Sequence, residues 1–254
     1  VAICFIGIIL GVSYFAQRQS KTVILQDKKQ DISTPKNDQK DSMAQTLVSL
    51  RFAGDILPAR AVELTMRKNG YMYPFEKIRQ ELADADITFA NLESPLIGTK
   101  TTGRTTPGGT TVFRGDVDFA TTLKEVGIDV VSLANNHMKD QGQKGIESTL
   151  TTLDQIGLKH AGAGLNSAQA EQLAVIEVDK GMEGVIKVGF LAFNDADVVP
   201  ESYHATEKQS GTNIMDVDKL KRLVAENRPK VDVLVVSMHS GTEYAKRPNS
   251  KQIT

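Results

Sequence analysis

Polar side chains suited to metal binding follow four apolar segments of the chain, at the point where each segment ends. These side chains are Asp55, Glu93, Asn135, Asn136, His137 and His239. In α/β proteins the carboxyl ends of strands meet at one edge of the sheet, where ligands bind. Carboxylates, amides and imidazoles together form an oxygen and nitrogen ligand set suited to Mn²⁺, Fe or Zn²⁺. A pair of such cations can activate water and hold a phosphoryl or acyl oxygen.

Each of these residues alone also has an ordinary structural interpretation. Asp55 follows a glycine, which is typical of a turn, and Glu93 fits a surface acid. Asn135 and Asn136 suit a turn or a helix cap. His239 fits a core histidine that donates to a carbonyl group. The combination at one sheet edge, rather than any single residue, therefore favours a functional site.

The segments that position these residues alternate between two patterns. From Leu47 onward, short β-type runs (LVSLRFAG, DITFANLE, IDVVSLANN) alternate with amphipathic stretches (YPFEKIRQELADA, VDFATTLKEVG, GIESTLTTLDQIG). This alternation predicts an α/β layered fold. Further along, LAVIEV and VIKVGFLAF flank DKGMEG, whose glycines predict a hairpin. DVDKLKRLVAEN predicts a helix with an acidic start, and VDVLVVSMHSG predicts a strand buried on both faces.

Composition excludes several classes of protein. The chain has 254 residues, of which 40% are hydrophobic and 24% are charged. These are ordinary globular values, and they exclude a collagenous, coiled-coil or wholly disordered chain. Its 30 basic and 31 acidic residues give a formal charge of -1, which argues against a nucleic-acid-binding protein. The single cysteine, Cys4, excludes an internal disulfide and a thiolate zinc site.

The first residues predict a membrane anchor. Val1–Ala16 carries no charge and is followed by Arg18 and Lys21, which is typical of a membrane segment with a basic flank. A cleaved signal peptide is the alternative, but Tyr14 occupies a place where a small residue is needed. We predict one transmembrane helix over residues 1–18, completed by residues before Val1, and a flexible polar linker over residues 19–46.

Basic and polar residues near the predicted site are candidates for substrate binding. Arg104 and Arg114 border the long Gly/Thr-rich loop from Ile97 to Thr111, and guanidinium groups match carboxylates or phosphates. A solvated basic loop is the alternative interpretation of these arginines. Glu243, which follows His239, either shapes the site or starts the next helix.

Four segments resemble the bacterial capsule-synthesis CapA family. They are FAGDILPAR, ANLESPL, DVVSLANNHMKDQG and VVSMHSGTEY. The family is tied to poly-gamma-glutamate capsules and is similar to calcineurin-like metallophosphoesterases. The resemblance implies that residues 47–254 form a layered metallophosphoesterase-like sheet sandwich flanked by helices, preceded by the transmembrane helix.

The resemblance also implies roles for individual residues. It implies two divalent metal ions in the full-length protein, with the ligands Asp55, Glu93, Asn136 and His239. His137 would protonate a leaving group, and Asp140 would orient His137. Asn135 is a further candidate for contact with substrate.

One departure from the family concerns the C-terminal end. Related proteins continue past positions matched here by Pro248 and Gln252 into a helix, a strand and a GHxPH loop with further ligands. This chain stops at Thr254, so we expect the domain and its metal site to be incomplete. Ser240 also stands where relatives commonly have tryptophan.

Two functional hypotheses remain open from the sequence. The first is a metal-dependent hydrolase or transferase that acts on an anionic polymer or phosphoester. The second is a non-catalytic subunit that binds or exports poly-gamma-glutamate together with other capsule-synthesis membrane subunits. For either, the resemblance implies a single-pass protein of the cell membrane with an extracytoplasmic domain. The basic flank by itself would favour the opposite orientation.

Overall fold

The structure, a computed structural model, describes part of the chain. It covers residues 47–98, 104–105, 111–242 and 245–253, together with a short strand at 5–7. Residues 5–7 of the predicted transmembrane helix form a strand instead, which pairs with the strand that ends at His239. The rest of the predicted anchor over residues 1–18 and the predicted linker over 19–46 lie outside the described residues. Within the described ranges, no helix is long and apolar enough to cross a membrane.

Short strands and helices alternate along the chain. The strands are β1 (Phe5–Gly7), β2 (Leu50–Ile56), β3 (Ile87–Leu92), β4 (Arg104–Thr105), β5 (Thr111–Val112), β6 (Val130–Ser132), β7 (Lys159–Ala161), β8 (Ala163–Gly164), β9 (Ala174–Asp179), β10 (Val185–Asn194), β11 (Gly211–Thr212) and β12 (Val233–His239). The helices are α1 (Arg60–Asn69), α2 (Arg79–Ala83), α3 (Phe119–Glu125), α4 (Gly142–Ile156), α5 (Ser167–Ala170), α6 (Val217–Asn227) and α7 (Ser250–Ile253).

The first main sheet is parallel throughout. Its strand order is β2-β3-β6-β7. Every residue of β3 is buried, as expected for a parallel strand covered on both faces. Leu123 of α3 and Leu150 of α4 pack with Leu92 and Val131 on one face of the sheet. Helices therefore cover that face, and all four strands point their carboxyl ends to the same edge.

The second main sheet is mixed. Its order is β1-β12-β10-β9, with β9 antiparallel to β10 and the other pairs parallel. This arrangement confirms the predicted hairpin over DKGMEG and the predicted strand that ends at His239. Helix α6 begins after Asp216, whose carboxylate accepts hydrogen bonds from the main-chain N–H groups of Asp218 and Lys219. Leu223 of α6 packs against the outer face of this sheet.

An apolar layer joins the two sheets. Phe89 and Val130 of the first sheet pack with Phe190 and Val235 of the second. The rings of Phe89 and Phe190 are stacked, with centroids 5.7 Å apart and an interplanar angle of 7°. The result is a sheet sandwich between helical layers, and it confirms the prediction of an α/β fold with a parallel sheet flanked by helices.

Three segments differ from the sequence prediction. The stretch YPFEKIRQELADA forms a 3₁₀ turn at Tyr73–Phe75, with proline in its first turn, and then only the short helix α2. Helix α1 was not predicted, because Met66 is its single buried apolar residue and leaves a weak periodic signal. The loop from Ile97 to Thr111 contains the paired strands β4 and β5.

Gly162 lies at a close approach of the two sheets behind the strand ends. Its φ is 98°, and a β-carbon there would lie 2.5 Å from Ala134 Cβ and 2.8 Å from Ala192 Cβ. Ala134 follows β6 of the first sheet, whereas Ala192 belongs to β10 of the second. Only glycine fits this position without separating the sheets.

We expect Gly162→Ala to lower the free energy of unfolding by about 1–3 kcal/mol more than Gly181→Ala, because overpacking adds to the backbone strain. Gly181 is a matched control, since it also has a positive φ of 64° but a β-carbon added there would have no neighbouring atom within 4 Å. Urea unfolding of both variants measures the difference. Equal losses would contradict a tight approach of the sheets at Gly162.

Candidate functional site

The carboxyl ends of strands from both sheets open into one cavity of about 260 Å³. Its wall on the strand side contains Asp55, Glu93, Asn136, His137 and His239. Asp55 belongs to β2, Glu93 directly follows β3, Asn136 and His137 lie in the segment after β6, and His239 is the last residue of β12. The structure thus brings the predicted metal ligands and the predicted acid together in one place.

The position of Asp55 depends on an irregularity in β2. The strand does not end at Asp55 but continues to Ile56. The register of β2 against β3 shifts between Phe52 and Asp55, and such bulges re-aim side chains next to functional sites. Asp55 Oδ1 then accepts a hydrogen bond from Asn91 Nδ2 at 2.9 Å.

Asn135 connects three parts of the chain near the cavity by buried hydrogen bonds. Its side chain is fully buried, and its Nδ2 donates to Asn91 Oδ1 at 3.0 Å and to the Leu92 carbonyl at 2.8 Å. Its Oδ1 accepts from the main-chain N–H of His137 at 3.1 Å. Asn135 therefore positions Asn91 and the backbone of His137. We predicted that Asn135 contacts substrate, but its side chain is not among those that line the cavity.

His137 and Asp140 form a hydrogen-bonded pair. Nδ1 of His137 lies 2.8 Å from Asp140 Oδ2, and the Asp140 side chain is only 5% exposed. The ring of Phe113 packs against the imidazole, with centroids 4.0 Å apart. Since the carboxylate accepts from Nδ1, this arrangement fixes the ring and leaves Nε2 for a ligand in the cavity.

Asp140 is itself held from three directions. Its Oδ2 also accepts from the main-chain N–H of Phe113 at 2.6 Å, and its Oδ1 accepts from the hydroxyl of Tyr203 at 3.1 Å. Burial and the Asp140 carboxylate together raise the pKa of Tyr203 to about 12. Lys139 also holds the segment around Tyr203 next to Asp140, because its ammonium group donates to the carbonyls of Ser202 and Ser210.

His239 faces the residues from the first sheet. Its Nε2 lies 2.9 Å from Asn136 Oδ1 and 3.8 Å from Glu93 Oε1. Burial lowers the pKa of His239, the Asp55 carboxylate opposes this effect, and His137 adds to it. Lowering the pKa favours the neutral imidazole, which is the form that binds metal ions.

The donor types at this site fit a divalent cation. Carboxylates, an amide oxygen and an imidazole are suitable ligands for Mn²⁺, Fe or Zn²⁺. In the described part of the chain, however, no group of three or more His, Cys, Asp or Glu side chains is arranged to hold a metal ion. Asn91 and Asn136 instead make hydrogen bonds to Asp55 and His239. The types of donor atom therefore fit a divalent cation, but in this structure the side chains form hydrogen bonds to one another.

Of the other predicted substrate-binding residues, the structure describes the side chain of Arg114. Nε of Arg114 donates to the carbonyl of Ile97 at 2.9 Å, and Arg114 is not among the residues that line the cavity. The side chain of Arg104 and the whole of Glu243 lie outside the described residues. Sequence reasoning did not identify Phe113 and Tyr203, since a lone aromatic residue far along the chain carries no motif.

We expect the stability of the protein to fall as the pH rises from about 10 to about 12. Tyr203 has an ordinary pKa of 10.0 and a folded-state pKa of about 12, so in this window the unfolded chain loses a proton that the folded chain retains. Tyr203→Phe should reduce this loss. Unfolding measured at several pH values tests the expectation, with Tyr73→Phe as the exposed control. An identical pH dependence in wild type and Tyr203→Phe would contradict it.

Comparison with known families identifies the class of protein to which this chain belongs. Residues 49–254 match the model of the family described as bacterial capsule synthesis protein PGA_cap. The chain belongs to this family, which confirms the resemblance seen in its motifs.

Two relatives show what the chain is similar to. It is 29% identical over 209 residues to the capsule biosynthesis protein CapA of Bacillus anthracis, covering 81% of this chain and 49% of the relative. It is 25% identical over 206 residues to the PGA biosynthesis protein CapA of Bacillus subtilis, covering 81% of this chain and 52% of that relative. The chain thus spans about half the length of these relatives.

Proposed function

We propose that this chain carries out a metal-dependent hydrolytic or transfer step on an anionic polymer during poly-gamma-glutamate capsule synthesis. One observation carries the proposal. The His137–Asp140 pair lies at the same cavity as Asp55, Glu93 and His239, with His137 in its lining. A positioned proton donor beside a set of metal-type donors is the arrangement that metal-assisted hydrolysis requires.

The metal ligands in this proposal are Asp55, Glu93, Asn136 and His239. A divalent cation bound by them would supply positive charge to an oxyanion of the substrate. Mn²⁺, Fe and Zn²⁺ all accept this mixture of donors. The relatives are about twice as long as the matched part of this chain, and we propose that the full-length protein binds two ions.

His137 acts as the proton donor. When a phosphoester or acyl bond breaks, the leaving atom takes a proton from Nε2 of His137, and the hydroxyl part of water bonds to the phosphoryl or acyl centre. The remaining proton of that water passes to solvent, from which Nε2 of His137 is protonated again. Asp140 keeps Nδ1 occupied, so that the ring presents Nε2 to the cavity. Phe113 packs against the imidazole, and Tyr203 holds the Asp140 carboxylate.

The setting of the reaction is a further part of the proposal. The apolar segment Val1–Ala16 would anchor the protein in the cell membrane through the residues of the segment outside β1. The domain from residue 47 would then lie on the extracytoplasmic side, next to other capsule-synthesis membrane subunits and the growing polymer.

Protease added to intact protoplasts should digest this domain, because the proposed orientation exposes it outside the membrane. Protection of the domain from the protease would contradict the orientation.

His137→Ala should abolish turnover and leave the metal content nearly unchanged, because His137 is not one of the proposed ligands. Asp55→Ala and His239→Ala should lose both metal and turnover. His160→Ala is a matched control, since His160 also pairs with a carboxylate, at 3.1 Å from Asp154, but does not line this cavity. Elemental analysis of protein purified without chelator, together with an assay of poly-gamma-glutamate chain length, measures both effects.

Two outcomes separate the hypotheses. Loss of metal in Asp55→Ala with unchanged polymer length and unchanged capsule formation would exclude the catalytic role. Capsule formation that survives His137→Ala would favour a polymer-binding or export subunit instead.

A further inference from the structure

Arg247 adds a positive charge to a cavity that also contains carboxylates. Asp55 and Glu93 contribute the carboxylates of the strand side, the acidic wall, and residues of the chain that follows β12 form a second wall. Arg247 lies in that second wall and is exposed. Of the described residues that line the cavity, it is the one lysine or arginine.

The wall that carries Arg247 is held in place by hydrogen bonds. Nε2 of Gln252 donates to the carbonyl and the hydroxyl of Ser240, at 3.3 and 3.2 Å. Oε1 of Gln252 accepts from the main-chain N–H of Asn249 at 2.9 Å. Gly241, with a φ of 119°, lets Gln252 approach, because a β-carbon at Gly241 would lie 2.9 Å from Nε2. These contacts return the chain to the cavity after β12.

The guanidinium group of Arg247 is available to a ligand. No ion pair joins it to another described residue. Arg114, in contrast, donates to the Ile97 carbonyl and lies outside the cavity lining. An arginine matches a carboxylate or a phosphate with two parallel hydrogen bonds. An exposed arginine that lines a cavity with two carboxylates is therefore placed to select an anionic ligand.

We infer that Arg247 binds an oxyanion of the substrate, a carboxylate or a phosphate, and orients it toward the acidic wall of the cavity. This inference rests on the proposed function, since it assigns substrate recognition at the same site. The same role was predicted for Arg104 and Arg114, and Arg114 does not line this cavity.

Binding to the full-length chain in detergent tests the inference. Calorimetric titrations with poly-gamma-glutamate and, separately, with inorganic phosphate compare wild type with Arg247→Ala, Arg247→Lys and Lys246→Ala. We expect Arg247→Ala to weaken binding at least about tenfold, the size expected for a charged hydrogen bond. Arg247→Lys should recover part of the affinity, because it keeps the charge but loses the paired geometry.

Lys246→Ala is the matched control. Lys246 is exposed, carries the same charge and does not line the cavity, so its loss should change affinity by less than about twofold. Selective loss of polymer affinity in Arg247→Ala assigns a carboxylate, and selective loss of phosphate affinity assigns a phosphate. Equal effects of Arg247→Ala and Lys246→Ala, or no effect of either, would overturn the inference.

The binding experiment also separates this inference from the proposed function. Wild-type protein that binds metal and cleaves polymer, with Arg247→Ala unchanged in affinity, would reject Arg247 and leave the catalytic proposal intact. Protein without metal or turnover that still loses affinity in Arg247→Ala would reject catalysis and retain the binding role. Wild-type protein that binds neither ligand would reject both.

Discussion

The packing of one sheet on the other is the constraint on which the site depends. Asp55 belongs to the first sheet, Glu93 and Asn136 follow its strands, and His239 ends a strand of the second. The 2.9 Å contact between Asn136 and His239 therefore crosses between sheets. The apolar layer around Phe89 and Phe190 fixes the spacing of the sheets, and Gly162 permits their close approach near the strand ends.

Buried hydrogen bonds convert this spacing into defined side-chain positions. Asn135 and Asn91 connect the backbone near His137 to the carboxylate of Asp55. Asp140 joins His137 to Phe113 and Tyr203. A buried polar network of this kind is stabilising only when its members are satisfied. The loss of one partner should therefore disturb several members of the site at once.

The negative and positive side chains of the cavity come from different segments of the chain. Carboxylates and imidazoles occupy the strand side, whereas Arg247 occupies the chain that follows β12. A polyanion would be repelled by the carboxylates alone. In the proposed function, a cation bound by the carboxylates and the charge of Arg247 together would offset that repulsion.

The sequence by itself determined the fold class, the family and the residues at the strand ends. Local patterns carry that information, because strand periodicity and the ANNH and HSGTEY segments lie in short stretches of chain. The short helix α2 and the unpredicted helix α1 show its limit, since weak periodicity leaves such elements to tertiary packing. Only the tertiary structure decided that Asn135 is buried, that Arg114 bonds to Ile97 and that Arg247 lines the same cavity as the carboxylates. These positions depend on contacts between residues far apart in the chain, and no local pattern encodes such contacts.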